Sequence, residues 1–172
     1  MRFRADKATV EEVVAEMIEL NPHLTREELM RYVEVDPKDA SRVKGNVNWT
    51  YKGIKVLPES IGDLTVDGNL GLYNNNLATL PAGFGSLTVG GNLYLHYNNL
   101  ATLPASFGSL TVGGDLDLSI NNLATLPASF GSLQVGETVY LRDNPVSDMD
   151  YLFIWDRPHF DGLDVDYVNA SH

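Results

Sequence analysis

Hydrophobic residues recur along most of the chain with a period of 23 positions. Each period contains a Leu-Pro pair, and these pairs begin at Leu57, Leu80, Leu103 and Leu126. In register, one unit reads L-x-L-x-x-N-N-L-A-T-L-P-A-x-F-G-S-L-x-V-G-x-x, and complete units begin at Leu70, Leu93 and Leu116. A degenerate unit begins at Val47, and a truncated one begins at Val139. Because a unit this short cannot enclose a core by itself, the repetition predicts a solenoid of stacked coils.

Each part of the unit has a predicted place in its coil. The L-x-L alternation predicts a short strand, since both leucines then point to one face of it. The asparagine after the strand can satisfy backbone groups of adjacent coils through its amide; it occurs at Asn75, Asn98, Asn121 and Asn144. Lys52 holds that position in the first unit, so the asparagine ladder should start one coil later. Bulky residues on the return path predict an inner column of the core, formed by Ile61, Phe84, Phe107 and Phe130. Valines predict a brief extended segment on the opposite side, at Val66, Val89, Val112 and Val135.

These units resemble the leucine-rich-repeat family, whose consensus contains L-x-L-x-x-N-x-L. The resemblance covers about residues 47–146, or about five coils. It implies an α/β solenoid: a curved leucine-rich-repeat solenoid with a parallel concave sheet, an N-terminal helical cap and a short C-terminal cap. Fold alone does not assign a function, which has to come from the residues of a site.

The segments that flank the repeats are predicted to cap the exposed ends of the solenoid. Residues 1–46 form the N-terminal helical cap, with capping boxes at Thr9-x-x-Glu12 and Thr25-x-x-Glu28. The pair Asp36-Pro37 predicts a third, short helix. Residues 147–172 form a C-terminal cap and acidic tail, led by the apolar run 151–155.

Composition and charge narrow the range of partners. The chain has no cysteine, which excludes disulfides, thiolate metal sites and cysteine nucleophiles. The net charge is −11, and residues 47–172 carry only 4 basic side chains against 13 acidic ones, which disfavours nucleic acid and anionic membranes as partners. No apolar stretch approaches the roughly 20 residues that a membrane span needs. An acidic segment follows the basic N-terminus where a signal peptide would be apolar. We therefore expect a cytoplasmic location, or delivery into a host cell by a specialised system.

Side chains that alternate with the buried leucines should face outward on the concave side, and those positions vary between units while the core positions hardly do. Five of the eight tyrosines fall there. Tyrosine offers a large contact area with little rotamer entropy to lose, which favours it in protein interfaces. The predicted partner-binding residues are Tyr51, Tyr73, Tyr94, His96, Tyr97, Asp117, Tyr140 and Arg142. The alternative is that tyrosines merely suit exposed strands.

Other chemistry finds less support. No second histidine or carboxylate shares the coil of His96 at ligand spacing, so we expect no metal, no cofactor and no catalytic residue. The rhythm of residues 24–44 resembles a helix-turn-helix, but its second helix would be short and mixed in charge. The run Asp161–Asp166 lacks the ligand order of a calcium loop. Bacterial effectors that join such repeats to a ligase need a catalytic cysteine, which this chain lacks.

The residues therefore favour a non-catalytic protein–protein interaction module, monomeric, that binds a protein or peptide through its tyrosine-rich concave face. An inhibitor, a bacterial effector and a phage anti-host protein all belong to this class. Two alternatives stay open. Tyrosines beside Asn and Asp could bind carbohydrate, and the near-identity of the central units could reflect a structural, self-associating array.

Overall fold

The computed structural model describes residues 6–146 and 165–166. The described chain begins with the helices α1 (Val10–Leu20) and α2 (Arg26–Met30). The strands before the complete units are β1 (Val35–Asp36), β2 (Asp39–Val43), β3 (Val47–Asn48) and β4 (Thr65–Val66). The next strands are β5 (Leu70–Gly71), β6 (Thr88–Val89), β7 (Leu93–Tyr94) and β8 (Thr111–Val112). The last strands are β9 (Leu116–Asp117), β10 (Gln134–Val135), β11 (Val139–Tyr140) and β12 (Val165–Asp166). Short 3-10 helices lie on the return path at Glu59–Asp63, Ala82–Ser86, Ala105–Ser109 and Ala128–Ser132.

The strands form two sheets on opposite sides of one core. The concave sheet has the order β12-β11-β9-β7-β5-β3, and all its strands are parallel. The convex sheet has the order β1-β2-β4-β6-β8-β10 and is parallel except for the β1–β2 pair. Neighbouring coils pair at equivalent repeat positions, as Leu70 does with Leu93. The predicted solenoid, its parallel concave sheet and its extended valine segments are confirmed.

The interior is a continuous hydrophobic column. Phe84, Phe107 and Phe130 are at most 1% exposed, and their rings stack at centroid distances of 6.2 Å and 6.0 Å with interplanar angles of 3° and 5°. The coils approach so closely beside this stack that a Cβ on Gly108 would lie 1.8 Å from the carbonyl oxygen of Ser129. A Cβ on Gly85 would lie 2.1 Å from the carbonyl oxygen of Ser106, so the glycines after Phe84 and Phe107 are packing requirements.

Buried asparagines tie successive coils together. The Asn98 amide nitrogen donates to the carbonyl oxygens of Leu72 and Leu95, both at 3.0 Å, and its Oδ1 accepts the N–H of Leu77 at 3.1 Å. The ladder starts at Asn75, whose Oδ1 accepts backbone N–H groups of the first coil. This confirms the predicted ladder and its starting point.

The N-terminal cap contains two helices and a hairpin. Both predicted capping boxes are present, at Thr9 and at Thr25. The cap is joined to the repeats by the Trp49 indole N–H, which donates to the carbonyl oxygen of Leu29 at 2.7 Å. No described helix has the length and apolar character needed to cross a membrane.

The prediction of a third helix at Asp36-Pro37 is wrong, because this segment forms the β1–β2 hairpin. The carboxylate of Asp36 accepts the N–H of Lys38 at 2.8 Å, which closes a tight turn instead of capping a helix. Strand β2 then pairs with β4 and buries Val43, so it extends the convex sheet by one strand. With strands after α2, residues 24–44 form no helix-turn-helix. The predicted cap run 151–155 and Asp161 lie outside the described residues, while β12 adds a strand to β11.

Candidate interaction surface

The outward face of the concave sheet carries an aromatic cluster in its first three coils. The ring of Tyr73 stacks on His96 at 4.5 Å with an interplanar angle of 9°. The Tyr94 ring stands nearly perpendicular to both, at 6.2 Å and 5.9 Å. Tyr51 contacts Tyr73 at 5.7 Å, and Tyr97 contacts His96 at 5.8 Å, both in edge geometry. We call these five residues the aromatic cluster. Its members hold one another in position, which reduces the entropy that a partner would have to overcome.

Two members of the cluster lie in left-handed turns after the strands. Tyr51 and Tyr97 have φ angles of 54° and 53° and are 71% and 51% exposed. They belong to what we call the turn column, one residue from each coil at the point where the chain leaves the concave strand: Tyr51, Asn74, Tyr97, Ile120 and Asp143. Sequence spacing placed this column within the strands. The structure places it in the left-handed turns that follow them.

A carboxylate borders the cluster on its C-terminal side. The Oδ1 atom of Asp117 accepts the N–H of Ser119 at 3.0 Å and also the hydroxyl of Ser119. Its Oδ2 atom lies 3.3 Å from Nδ1 of His96. That distance suits an ion pair when the imidazole is protonated, but the two groups are not aligned for a hydrogen bond, and this Nδ1 is buried without a hydrogen-bond partner. Asp117 thus adds negative charge directly beside the rings.

One position of the concave face holds a glycine that sequence reasoning did not single out. Gly71 pairs with Tyr94 in the concave sheet and so takes the place of an outward side chain. It is buried, and a Cβ there would lie 2.9 Å from Cγ2 of Thr50. The missing side chain therefore leaves room for the Thr50 side chain.

Tyr140 and Arg142 form a pair in the last coil, towards the C-terminal end of the sheet. The guanidinium carbon of Arg142 lies 5.7 Å from the centroid of the Tyr140 ring, within the range of a cation–π interaction. Six of the eight predicted contact residues are therefore the aromatic cluster and Asp117. The other two lie next to them, because Tyr140 pairs with Asp117 in the neighbouring strand.

The position before each concave strand is a second polar ladder that sequence reasoning missed. The side-chain oxygens of Asn46, Asn69, Asn92 and Asp115 each accept the backbone N–H found 23 residues later, at 2.8 to 3.0 Å. The Asn92 amide also donates to the Tyr94 hydroxyl at 2.7 Å, which orients that ring. The recurrence of Asn or Asp every 23 residues at this position could have predicted the second ladder.

Outside this face, a groove of about 520 Å³ lies beside α1 and the turn at Pro58. Four glutamates line it, and three have structural hydrogen bonds: Glu12 in its capping box, Glu16 with Ser60, and Glu59 with backbone N–H groups of the next coil. Within residues 6–146, no group of three or more His, Asp or Glu side chains could hold a metal ion.

Comparison with known proteins supports the fold. No protein-family model matches the chain, and no curated protein does. Among solved structures, the chain is similar to a leucine-rich-repeat protein of Leptospira interrogans, with a TM-score of 0.53 and 22% sequence identity. The match covers 71% of this chain and 36% of that protein, so this chain spans little more than a third of its length. The chain therefore has a leucine-rich-repeat solenoid fold.

Proposed function

We propose that this protein is a non-catalytic module that binds another protein or a peptide through its concave face, with the aromatic cluster at the centre of the contact. The observation that carries the proposal is the exposure of Tyr51 and Tyr97, 71% and 51%, at the edge of an ordered set of rings. Exposed, ordered aromatic side chains are the groups that dominate the binding energy of protein interfaces. The proposed contact residues are Tyr51, Tyr73, Tyr94, His96, Tyr97, Asp117, Tyr140 and Arg142.

The strand propensity of tyrosine does not account for this surface. Tyr51 and Tyr97 lie in left-handed turns, where a large side chain is unfavourable and where asparagine or glycine would suit the backbone better. Their rings are too exposed to contribute much to the core. Since these two tyrosines contribute little to the stability of the fold, we attribute their presence to contact with a partner.

The dimensions of the face suit a modest interface. The five strands from β3 to β11 in the concave sheet, about 4.8 Å apart, present a surface roughly 20 Å across. This is enough for a peptide crossing the strands or for a small protein surface. Catalysis by acid and base needs polar groups that converge in an enclosed pocket. His96 and Asp117 instead lie on an open sheet beside the solvated ring of Tyr97.

Affinity capture from a lysate of the source cell or of its host tests the proposal. Wild type is compared with a Tyr94→Ala/Tyr97→Ala variant whose fold is verified by circular dichroism. Tyr32→Ala is the matched control, because Tyr32 is also exposed, at 93%, and also has a positive φ, at 64°, but lies in the N-terminal cap. We expect a protein retained by wild type and by the control and lost with the double variant.

Equal capture by all three proteins would contradict the proposed face. Capture of nothing would favour the carbohydrate or self-association alternatives, which glycan titration and analytical ultracentrifugation distinguish. The identity of the captured protein decides whether the role is that of an inhibitor, a bacterial effector or a phage anti-host factor. We place that role in the cytoplasm of the source or host cell.

A further inference from the structure

The turn column places one side chain from each coil at a regular spacing. Its members share nearly the same φ, from 53° to 58°, so their Cα–Cβ bonds leave the successive coils in the same direction. Neighbouring strands of a sheet are about 4.8 Å apart, so alternate members of the column are about 9.6 Å apart. The alternate members in the first, third and fifth coils are Tyr51, Tyr97 and Asp143.

These three side chains share an affinity for cations. Tyr51 and Tyr97 are 71% and 51% exposed, and Asp143 is exposed as well. A tyrosine ring attracts a guanidinium group over its face, and a carboxylate binds one through charge-assisted hydrogen bonds. Asn74 and Ile120 lie between them and carry no charge. The column thus presents three cation-binding positions at a constant spacing.

Two further observations point to arginine as the cation. Arg142 already lies over the Tyr140 ring at 5.7 Å, so a guanidinium–tyrosine contact forms on this same face. The repeats also carry excess negative charge, since residues 47–146 contain three basic and seven acidic side chains. Asp117 lies beside the cluster and adds to the field there. A basic segment is therefore the electrostatic complement of the face.

The spacing selects the conformation of that segment. A polyproline II helix has three residues per turn and rises about 3.1 Å per residue, so every third side chain projects from one face at about 9.3 Å intervals. This matches the roughly 9.6 Å between alternate members of the turn column. A β-strand would place the first and fourth residues on opposite faces.

We propose, building on the proposed function, that the partner segment is a polyproline II helix with arginine at every third residue. It lies along the turn column, across the strands, with successive guanidinium groups on Tyr51, Tyr97 and Asp143.

Fluorescence anisotropy with three labelled peptides of equal length tests this inference. The first is (Arg-Pro-Pro)₄, the second has the same composition with its arginines in one block, and the third replaces each arginine with glutamine. We expect wild type to bind the first peptide at least tenfold more tightly than the second, and the third not measurably. Affinity for the first peptide should fall as salt is added, because the contact is electrostatic.

Variants of the protein locate the contact. Tyr51→Leu/Tyr97→Leu removes both rings and should weaken the binding of (Arg-Pro-Pro)₄ about tenfold. Asp143→Asn should weaken it about threefold and reduce its salt dependence. Tyr32→Leu is the control, and it should leave the dissociation constant unchanged.

Equal affinity for the spaced and blocked peptides, or no binding of the spaced one, overturns the arginine inference. The proposed function then still stands if lysate capture depends on Tyr94 and Tyr97. Binding of the spaced peptide that is unaffected by the tyrosine and Asp143 variants also overturns the inference, because the site would then lie elsewhere. A capture experiment that shows no dependence on the concave face overturns the proposed function separately.

Discussion

The stacked phenylalanines provide the sharpest test of how the repeats are held together. Phe107 is fully buried and has a ring stacked on each side, whereas Phe130, 1% exposed, stacks only on Phe107 among the described rings. Truncation of a buried phenylalanine to alanine costs about 3–5 kcal/mol. A stacked aromatic pair contributes about 0.5–1.5 kcal/mol beyond its area. We therefore expect Phe107→Ala to cost about 4 kcal/mol and Phe130→Ala about 3 kcal/mol.

Urea denaturation followed by far-ultraviolet circular dichroism measures both free energies of unfolding. The slope of the free energy of unfolding against urea concentration must be compared as well. A solenoid whose central coil is weakened can unfold in parts, and this lowers that slope. The leucine variants at the same two positions separate loss of the ring stack from loss of volume. A cost for Phe107→Ala no greater than that for Phe130→Ala, at equal slopes, would refute the idea that stacking couples the coils.

Three more predictions follow from polar groups and backbone conformation. Asn98→Ala leaves the Leu77 N–H unpaired in the core and removes one of the two hydrogen bonds that each of the Leu72 and Leu95 carbonyl oxygens accepts, so it should cost about 2 kcal/mol in urea unfolding. Asn99→Ala, at the exposed neighbouring position, should change stability by less than about 0.5 kcal/mol. Ile120 has a φ of 53°, and asparagine already occupies the equivalent position in the second coil, as Asn74. Ile120→Asn should therefore stabilise the fold by about 0.5 kcal/mol, because the relief of backbone strain exceeds the loss of partly buried apolar surface. The Thr25 hydroxyl and then the Thr25 N–H hydrogen-bond the Glu28 carboxylate and lower its pKa, so Thr25→Ala should raise that pKa towards its ordinary value in an NMR titration. Because the pKa is lower in the folded state, this contribution to stability is present at neutral pH and is lost as the pH falls through the acidic range.

The repeats could be predicted from the sequence because the same residue type recurs at each core position in successive coils. Asn75, Asn98 and Asn121 occupy one position in three coils, so a single physical role had to explain all of them. The stack of Phe84, Phe107 and Phe130 follows from the same register. Likewise, Tyr73 and His96 share a position in adjacent coils, and their rings stack.

The hairpin at residues 35–43 could not be predicted in this way, because its sequence occurs once and has no counterpart in the other coils. Asp36-Pro37 is compatible with both a helix start and a turn, and local sequence does not distinguish them. The open edge of the convex sheet does: β4 lacks a partner from the repeats on its N-terminal side, and β2 provides one. The contact between Asp117 and His96 was similarly out of reach, since it depends on side-chain rotamers across two coils.

The turn column keeps one backbone conformation while its side chains differ from coil to coil. Its left-handed conformation is the same for tyrosine, asparagine, isoleucine and aspartate, so the backbone there is set by the ladders on either side and not by the residue itself. Each residue other than asparagine or glycine costs about 1 kcal/mol or more at such a position. Ile120 shows that the scaffold tolerates even a β-branched side chain there. A column that accepts any side chain at a small cost can change its chemistry without changing the fold. The two exposed tyrosines in that column bring strain and little burial, which is why we propose that they contact a partner.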